Sequence, residues 1–253
     1  MIVDSHCHLD DPEFDRDREA VVARARSAGV QAQIVPAIDR STWEKTREAC
    51  ATAPGLYPAY GLHPLLLGKH REEHLDDLAE WLERERPVAV GECGLDYFVE
   101  GLDPDLQRLY FRRQLELALE FDLPVIVHAR RAFEEAIAEL RRLPGLRGVV
   151  HSWAGSEEQA RQLFGMGFFL GLGGPVTYER AKRIRRVAAS MPLEFLLLET
   201  DAPDQPDSGR RGERNEPAHL ATVLACIARL RGVDEAQIAQ ATTANAQRLF
   251  ALT

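Results

Sequence analysis

Two histidines near the N-terminus, His6 and His8, stand two positions apart directly after a short apolar segment. Side chains of a β-strand alternate between its two faces, so both imidazoles are predicted to point one way and Cys7 the other. Imidazole is among the commonest ligands of divalent metal ions in proteins. The spacing therefore predicts that His6 and His8 bind one metal ion together.

Four more ligand-type side chains occur later in the chain, each at the end of a short β-branched or apolar run. They are Glu92, His128, His151 and Asp201. A single histidine at a strand end is more often a hydrogen-bonded structural residue than a ligand. Six ligand-type residues at five separate strand ends are an improbable accident, so the whole group predicts a metal centre.

Two metal ions fit this group better than one. We predict that the N-terminal histidine pair binds the first ion, that His128 and His151 bind the second, and that Glu92 bridges them. Asp201 is predicted to bind the first ion and to face the attacking water. Paired ions about 3.5–4 Å apart can activate water and stabilise a leaving oxygen. Mixed imidazole and carboxylate ligands suit Zn²⁺, Mn²⁺ or Fe²⁺ and also admit Mg²⁺.

Two further carboxylates precede predicted ligands by two residues, Glu199 before Asp201 and Asp4 before His6. Each is expected one layer deeper on the same strand face, where a buried carboxylate can orient a ligand histidine. An ion pair with a core arginine explains Glu199 equally well.

Three basic side chains are candidates for binding substrate. His63, in Gly-Leu-His-Pro after the third predicted strand, can contact a phosphate or donate a proton to a leaving group. Arg130 lies two residues beyond His128 and Arg214 lies in an arginine-rich loop at 210–216. Both can pair with a phosphate, although a surface arginine and a solvated turn are nearly as good explanations.

Two local patterns resemble known motifs and are set aside. Residues 70–74, His-Arg-Glu-Glu-His, match a zinc-protease pattern but sit in a strongly charged stretch, and we interpret them as a solvated helix start. Residues 171–174, Gly-Leu-Gly-Gly, lack the lysine of a phosphate-binding loop, and a tight turn after a strand explains them.

Short β-branched runs alternate with helical patterns along the whole chain. The predicted strands are residues 1–5, 32–36, 56–60, 87–91, 124–128, 147–151, 168–172 and 195–199. The predicted helices are residues 15–28, 41–53, 73–86, 104–121, 131–142, 156–165, 177–189, 217–231 and 235–250. This alternation predicts an α/β fold, a (β/α)8 TIM barrel forming a single domain over residues 1–253. A doubly wound open sheet is the alternative, but it would not bring ligands from five strands to one point.

Composition restricts the partners. The formal net charge of −9 argues against coating nucleic acid by bulk electrostatics, yet allows one phosphodiester to be bound locally. No apolar run reaches the roughly 20 residues of a membrane span, and no signal-like leader opens the chain. The four cysteines show no paired spacing. We therefore expect free thiols, a cytoplasmic location, no membrane contact and no obligate protein partner.

Seven segments together resemble the TatD family of metal-dependent deoxyribonucleases, within the amidohydrolase-like barrels. They are residues 4–10, 61–64, 91–97, 124–130, 198–203, 214–217 and 245–250. The resemblance implies a TIM-type barrel, one to three divalent metal ions, and hydrolysis of DNA phosphodiesters, often from the 3′ end. By position it implies metal binding by His6, His8, Glu92, His128, His151 and Asp201. The chain departs from the family pattern at Leu65, where a second histidine is usual, and at 152–154, where Ser-Trp-Ala replaces Cys-Phe-Ser.

The sequence thus predicts a hydrolase with two divalent ions (Mg²⁺, Mn²⁺ or Zn²⁺) that acts as a 3′–5′ deoxyribonuclease on single-stranded DNA or 3′ ends, with Asp201 and Glu92 as its catalytic residues. An esterase such as a D-aminoacyl-tRNA deacylase is the alternative within hydrolases. A mononuclear barrel decarboxylase would not need Glu92. A deaminase fits less well, because no acidic proton shuttle follows His128. A non-catalytic metal or nucleic-acid binder is disfavoured by the intact ligand group.

Overall fold

A computed structural model describes residues 1–252 of the chain. The strands of this part are β1 (Ile2–Asp4), β2 (Val30–Pro36), β3 (Leu56–Tyr60), β4 (Ala89–Asp96), β5 (Val125–Arg130), β6 (Gly148–Val150), β7 (Phe169–Leu172) and β8 (Leu196–Leu198). Its α-helices are α1 (Arg18–Ser27), α2 (Trp43–Ala51), α3 (Glu73–Glu85), α4 (Pro104–Glu120), α5 (Phe133–Arg141), α6 (Glu157–Gly165), α7 (Lys182–Ser190), α8 (Leu220–Arg231) and α9 (Glu235–Phe250).

The strands form one parallel sheet in chain order, each paired with the next. Main-chain hydrogen bonds just beyond β1 and β8 join the two edges: Ser5 N donates to Leu198 O at 2.9 Å and Asp201 N donates to His6 O at 2.9 Å. The sheet therefore curves into a nearly closed barrel with helices around it. The predicted α/β class and (β/α)8 barrel are confirmed.

The barrel interior contains one buried side chain from every strand. This layer consists of Val3, Ile34, Ala59, Ala89, Ile126, Val149, Phe169 and Leu197. Three residues of α9, Ala246, Leu249 and Phe250, pack against it. Because strand side chains alternate, the residues two positions after Ile126 and Val149 point into the barrel one layer higher. Those residues are His128 and His151.

A larger apolar cluster fills the space between the strands and the surrounding helices. Helix starts follow the sequence signals. Ser156 and Gln159, for example, form a reciprocal capping box at the start of α6. Helix α7 begins at Lys182 rather than near 177, because a 3₁₀ turn with Pro175 occupies 174–177. Strand β4 continues to Asp96 rather than ending at 91, so Glu92 lies inside a strand.

The four cysteines are free, as predicted, and all four are buried. Among the helices of residues 1–252, none is both long and apolar enough to cross a membrane.

Candidate metal centre

An irregularity in β4 aims Glu92 into the barrel. The pairing of β4 with β5 shifts register between Val90 and Cys93, so strict alternation from Ala89 is broken there. Gly94 adopts φ +149°, and a Cβ on it would lie 2.0 Å from the main-chain oxygen of His128. Only glycine fits so close an approach between neighbouring strands. The result is a buried carboxylate inside the upper barrel.

A second irregularity positions the N-terminal histidines. Strand β1 ends at Asp4, and Val3 belongs to the barrel interior, so alternation would have turned Ser5 inward instead of His6. The Ser5 hydroxyl donates to Leu198 O at 3.0 Å, while the Nε2 atoms of His6 and His8 lie 3.2 Å apart. The two imidazoles converge as predicted, but the bend after β1 brings them together, and strand alternation does not.

Glu92 is surrounded by imidazoles. Its Oε2 lies 3.1 Å from Nε2 of His6 and 3.4 Å from Nε2 of His8. Its Oε1 lies within 2.8–2.9 Å of ring nitrogens of His63, His128 and His151. Asp201 completes the group, with Oδ1 at 3.5 Å from His6 and 3.6 Å from His8. All six predicted ligands are therefore brought together, and His63 joins them.

The donor atoms fall into three overlapping groups of potential ligands: His6, Glu92 and His151; His6, His8 and Asp201; His63, Glu92 and His128. Within each group the ligand atoms lie within 4.8 Å of one another. His128 was predicted to bind the second ion together with His151. The structure offers an alternative, because His128 also shares a group of potential ligands with His63. Sequence reasoning placed His63 among the substrate contacts and missed this position.

Ring nitrogens face one another across the centre. The Nδ1 of His128 lies 3.2 Å from Nε2 of His151, matching the His6–His8 spacing. When both rings are neutral, two facing ring nitrogens can share at most one proton. The carboxylate of Glu92 has about four acceptor positions, which is fewer than the five imidazoles around it. Nitrogen lone pairs converging beside two carboxylates are the donor arrangement of a divalent metal centre. The residues present therefore fit the group that the sequence predicted.

Electrostatics within the centre favour the metal-binding forms of Glu92 and His63, whereas Glu92 raises the pKa of His8 and His151 against the effect of burial. Although burial opposes its charge, the imidazoles of His63, His151 and His6 hold the pKa of Glu92 well below its ordinary value. Burial lowers the pKa of His63 to about 4, so this ring is neutral at neutral pH. A neutral imidazole and an ionised carboxylate are the forms that bind metal ions.

Asp96 supports His128 from behind. Its Oδ2 lies 3.0 Å from Nε2 of His128, which leaves Nδ1 of that ring facing Glu92. A carboxylate on the far nitrogen of a ligand histidine fixes its orientation. Sequence reasoning did not assign Asp96, which lies two residues after Gly94, the residue that pairs with His128 in register.

The two deeper carboxylates differ in role. Glu199 accepts a hydrogen bond from Ser152 N at 2.5 Å and lies 3.9 Å from Nδ1 of His151, and no arginine pairs with it within residues 1–252. The placement favours the predicted support of a histidine over a core ion pair. Burial raises the pKa of Glu199 to about 8. Gly171 in β7 leaves room for it, because a Cβ on this residue would lie 1.9 Å from Oε2 of Glu199.

Asp4 does not contact the His6 ring. Its Oδ1 accepts from the main-chain nitrogens of His6 at 3.2 Å and Thr200 at 3.0 Å, and its Oδ2 accepts from the Thr200 hydroxyl at 2.5 Å. It therefore links β1 to β8 where the barrel closes. The expectation that it lies below His6 on the same face is wrong, because the chain leaves strand geometry at Asp4.

The sequence profile of the family described as "TatD related DNase" matches residues 3–251. The chain belongs to the TatD family. It is 44% identical over 255 residues to the uncharacterized metal-dependent hydrolase YjjV of Escherichia coli K12, covering 98% of this chain and 97% of that protein. It is also 36% identical over 254 residues to a protein named 3′-5′ ssDNA/RNA exonuclease TatD from Cronobacter sakazakii, covering 94% and 93%.

Solved structures agree on the barrel. The crystal structure of the TatD homologue YjjV from Escherichia coli superposes with a TM-score of 0.96 at 41% identity, covering 100% of this chain and 98% of that one. A TatD family hydrolase of Entamoeba histolytica superposes with a TM-score of 0.87 at 22% identity, covering 98% and 97%, which supports the fold.

The centre of this TatD family member opens into a cavity of about 1230 Å³ at the mouth of the barrel. His8, His63, Glu92, His128, His151 and Asp201 reach it from below. Arg130 lines its wall, and its assignment as a substrate contact stays a prediction.

Arg214, predicted to contact substrate, is not among the residues that line the cavity. Its guanidinium pairs with Asp17 at 2.7 Å and Glu216 at 3.0 Å, donates to Glu13 O at 2.7 Å, and stacks on the Phe14 ring. The part of the loop after β8 that carries Arg214 packs on the start of α1, because these acidic groups bind the arginine, whereas Pro203, Asp204 and Gln205 of the same loop line the cavity.

The protease-like segment 70–74 lies outside the centre. Arg71, Glu72 and Glu73 are exposed, as expected for a solvated helix start, but His74 is buried. A ring nitrogen of His70 lies 2.8 Å from the main-chain oxygen of His63. The segment therefore supports the loop that carries His63.

Gln205 is a further residue that sequence reasoning missed. Its amide nitrogen donates to Oδ2 of Asp201 and, at 2.8 Å, to the hydroxyl of Ser152. All three residues adopt positive φ: 46° for Ser152, 57° for Asp201 and 50° for Gln205. Such conformations cost about 1 kcal/mol or more each and persist where surrounding contacts hold them. The bonds leave Asp201 Oδ1 directed at His6 and His8.

Proposed function

We propose that this metal-dependent hydrolase is a phosphodiesterase that degrades DNA from the 3′ end. The observation that carries the proposal is the convergence of five imidazoles and Asp201 on the buried carboxylate of Glu92 at the floor of an open cavity. Relatives named as single-stranded DNA and RNA exonucleases support the substrate class.

Two divalent ions would be held in this centre. His6, His8 and Asp201 would hold one ion, and His63, His128 and His151 would supply the nitrogens for the other. Glu92 has one oxygen directed at each side and would bridge the two. When bound, paired ions acidify water and stabilise negative charge on a phosphate and its leaving oxygen.

Side chains of the protein accept the proton, bind the phosphate and orient the ligand histidines. Asp201 accepts the proton of the attacking water, and its hydrogen bond from Gln205 keeps the carboxylate turned toward the cavity. Arg130 pairs with the phosphate and orients it above the centre. Asp96 keeps Nδ1 of His128 facing inward.

The experiment measures hydrolysis of 5′-labelled single-stranded DNA by metal-stripped protein with Mg²⁺, Mn²⁺ or Zn²⁺ added back. Metal content is measured in parallel by mass spectrometry. Glu92→Ala is tested alongside Glu120→Ala, which removes an exposed carboxylate at the end of α4. We expect a metal-dependent ladder shortening from the 3′ end with wild type and Glu120→Ala. Glu92→Ala should lose most bound metal and nearly all cleavage, because it removes the shared carboxylate.

Three outcomes would contradict the proposal. Absence of DNA cleavage with any metal, despite bound ions, would redirect the assignment to ester substrates such as aminoacyl-tRNA. Normal binding of two ions by Glu92→Ala would refute the bridging role. Activity that survives loss of Glu92 with one ion bound would favour a mononuclear lyase.

A further inference from the structure

A phenyl ring is exposed on the wall of the cavity. Phe98, two residues after β4, exposes 43% of its surface and lines the cavity, and its neighbour Val99 exposes 40%. Large apolar side chains at the edge of a ligand cavity commonly contact the ligand.

Two arginines lie against this ring. The Cζ of Arg130 is 3.6 Å and that of Arg131 is 4.6 Å from the ring centroid of Phe98. Both side chains are exposed, and neither forms an ion pair or side-chain hydrogen bond with any other residue in 1–252. Their guanidinium groups therefore keep their hydrogen-bond donors available.

Nearby carboxylates are occupied by other partners. Glu135 accepts from Arg108 at 2.7 Å and from the Tyr97 hydroxyl at 2.7 Å, and Glu134 accepts from Gln159 at 2.8 Å. Arg130 and Arg131 thus hold positive charge at the cavity of a chain whose net charge is −9. Attraction of an anion to this site is therefore local, since the net charge of the protein repels it.

The ring is tied to the metal centre through one carboxylate. Asp96 Oδ1 accepts from the main-chain nitrogens of Phe98 at 2.8 Å and Val99 at 3.2 Å, while its Oδ2 contacts His128. Arg130 ends the strand that carries His128. The main chain that carries Phe98 and Arg130 is therefore held at a fixed position relative to the centre.

We propose that Phe98, Arg130 and Arg131 form a subsite for one nucleotide unit of single-stranded nucleic acid. A base stacks on this layer of ring and guanidinium planes, and the free N–H groups of the arginines bind a backbone phosphate. The inference rests on the proposed function and names the part of its substrate that the cavity wall binds. Stacking accepts every base, so the subsite predicts binding with little sequence preference.

The test measures binding, independently of cleavage. Fluorescence anisotropy gives the Kd of metal-loaded protein for a labelled oligothymidylate of about ten nucleotides, within the site sizes of single-strand binders. Phosphorothioate linkages slow hydrolysis of this probe. An abasic oligomer with the same number of phosphates is the second probe. Phe98→Ala, Phe98→Tyr and the double variant Arg130→Gln/Arg131→Gln are compared with wild type.

Two control variants alter similar residues elsewhere. Leu109→Ala removes an exposed apolar side chain of α4 outside the cavity lining, and Arg229→Gln removes a positive charge near the end of α8. Both are expected to bind each oligomer as wild type does.

Phe98→Ala should weaken binding of the thymidylate about tenfold while leaving the abasic oligomer within about twofold, because stacking requires a base. Phe98→Tyr should restore binding. The double arginine variant should weaken binding of both oligomers and reduce the slope of log affinity against log salt by about 1.4, the value for two single-strand phosphate contacts.

Equal effects of Phe98→Ala on both oligomers, or no effect on either, would overturn the inference, as would failure of wild type to bind. These results are separable from the proposed function. Base-dependent binding through Phe98 without cleavage would support the subsite and refute the nuclease. Cleavage that ignores Phe98 and both arginines would support the nuclease and refute the subsite.

Discussion

The floor and the wall of the cavity differ in the burial and in the pairing of their side chains. The floor consists of His6, His8, His63, Glu92, His128, His151 and Asp201, whose side chains are mostly buried and contact one another. The wall consists of Phe98, Arg130 and Arg131, which are exposed and have no acidic partner within residues 1–252. Buried charges are costly unless paired, whereas exposed arginines cost little while unpaired. The floor therefore defines a reaction centre before substrate arrives, and the wall is left open for a ligand.

Removing the charge of a floor residue should have the largest effect. Asp201→Asn keeps the shape of the side chain and its contact with Gln205, but loses a metal ligand and a proton acceptor. We expect the rate of hydrolysis to fall by about 10²–10⁴-fold, the range for losing a general base. Steady-state kinetics on a phosphodiester substrate give the rate, and circular dichroism checks the fold.

The wall residue Arg130 provides the contrast for Asp201. Arg130→Gln should raise KM more than it lowers kcat, because it removes a substrate contact and leaves the floor intact. Near-wild-type turnover of Asp201→Asn would refute its catalytic role. If Arg130→Gln changed kcat as much as KM, Arg130 would not act by substrate binding alone, and floor and wall would not differ in function.

Asp96 joins the two regions, so changing it should disturb both. Asp96→Asn weakens the support of His128 and is expected to lower metal affinity by about 10–100-fold. Competition with a metal chelator measures this affinity. Asp105→Asn, which changes an exposed carboxylate on α4, is the matched control and should leave it unchanged. Unaltered metal affinity in Asp96→Asn would show that the floor does not depend on this carboxylate.

Gln205 contacts the floor only through Asp201, so replacing it should lower the rate less than replacing Asp201 does. Gln205→Ala removes the hydrogen bond that holds Oδ2 of Asp201, and losing about 1 kcal/mol lowers kcat about fivefold. Adding Ser152→Ala should cost little more, because Ser152 acts through the same amide. Additive losses in the double variant would indicate that Ser152 has a separate role.

Much of the floor was predictable because strand ends of a parallel barrel meet at one face. His128 and His151 follow from simple alternation along β5 and β6. Glu92 and His6 reach the centre as well, but the register shift in β4 and the bend after β1 that direct them there have no signal in hydrophobic periodicity. Contacts between loops, such as Gln205 with Asp201, depend on tertiary placement and were invisible.

The loop after β8 is a second case in which the sequence did not predict tertiary placement. The short distance along the chain from Asp201 to Arg214 does not determine where the side chain of Arg214 lies. Arg214→Gln should therefore leave kcat and KM unchanged, in contrast to Arg130→Gln. Its partly exposed pairs with Asp17 and Glu216 are expected to contribute at most about 1 kcal/mol to the free energy of unfolding. Urea denaturation measures that difference. A raised KM in Arg214→Gln would mean that Arg214 reaches the substrate after all, and that the wall extends beyond Phe98 and its two arginines.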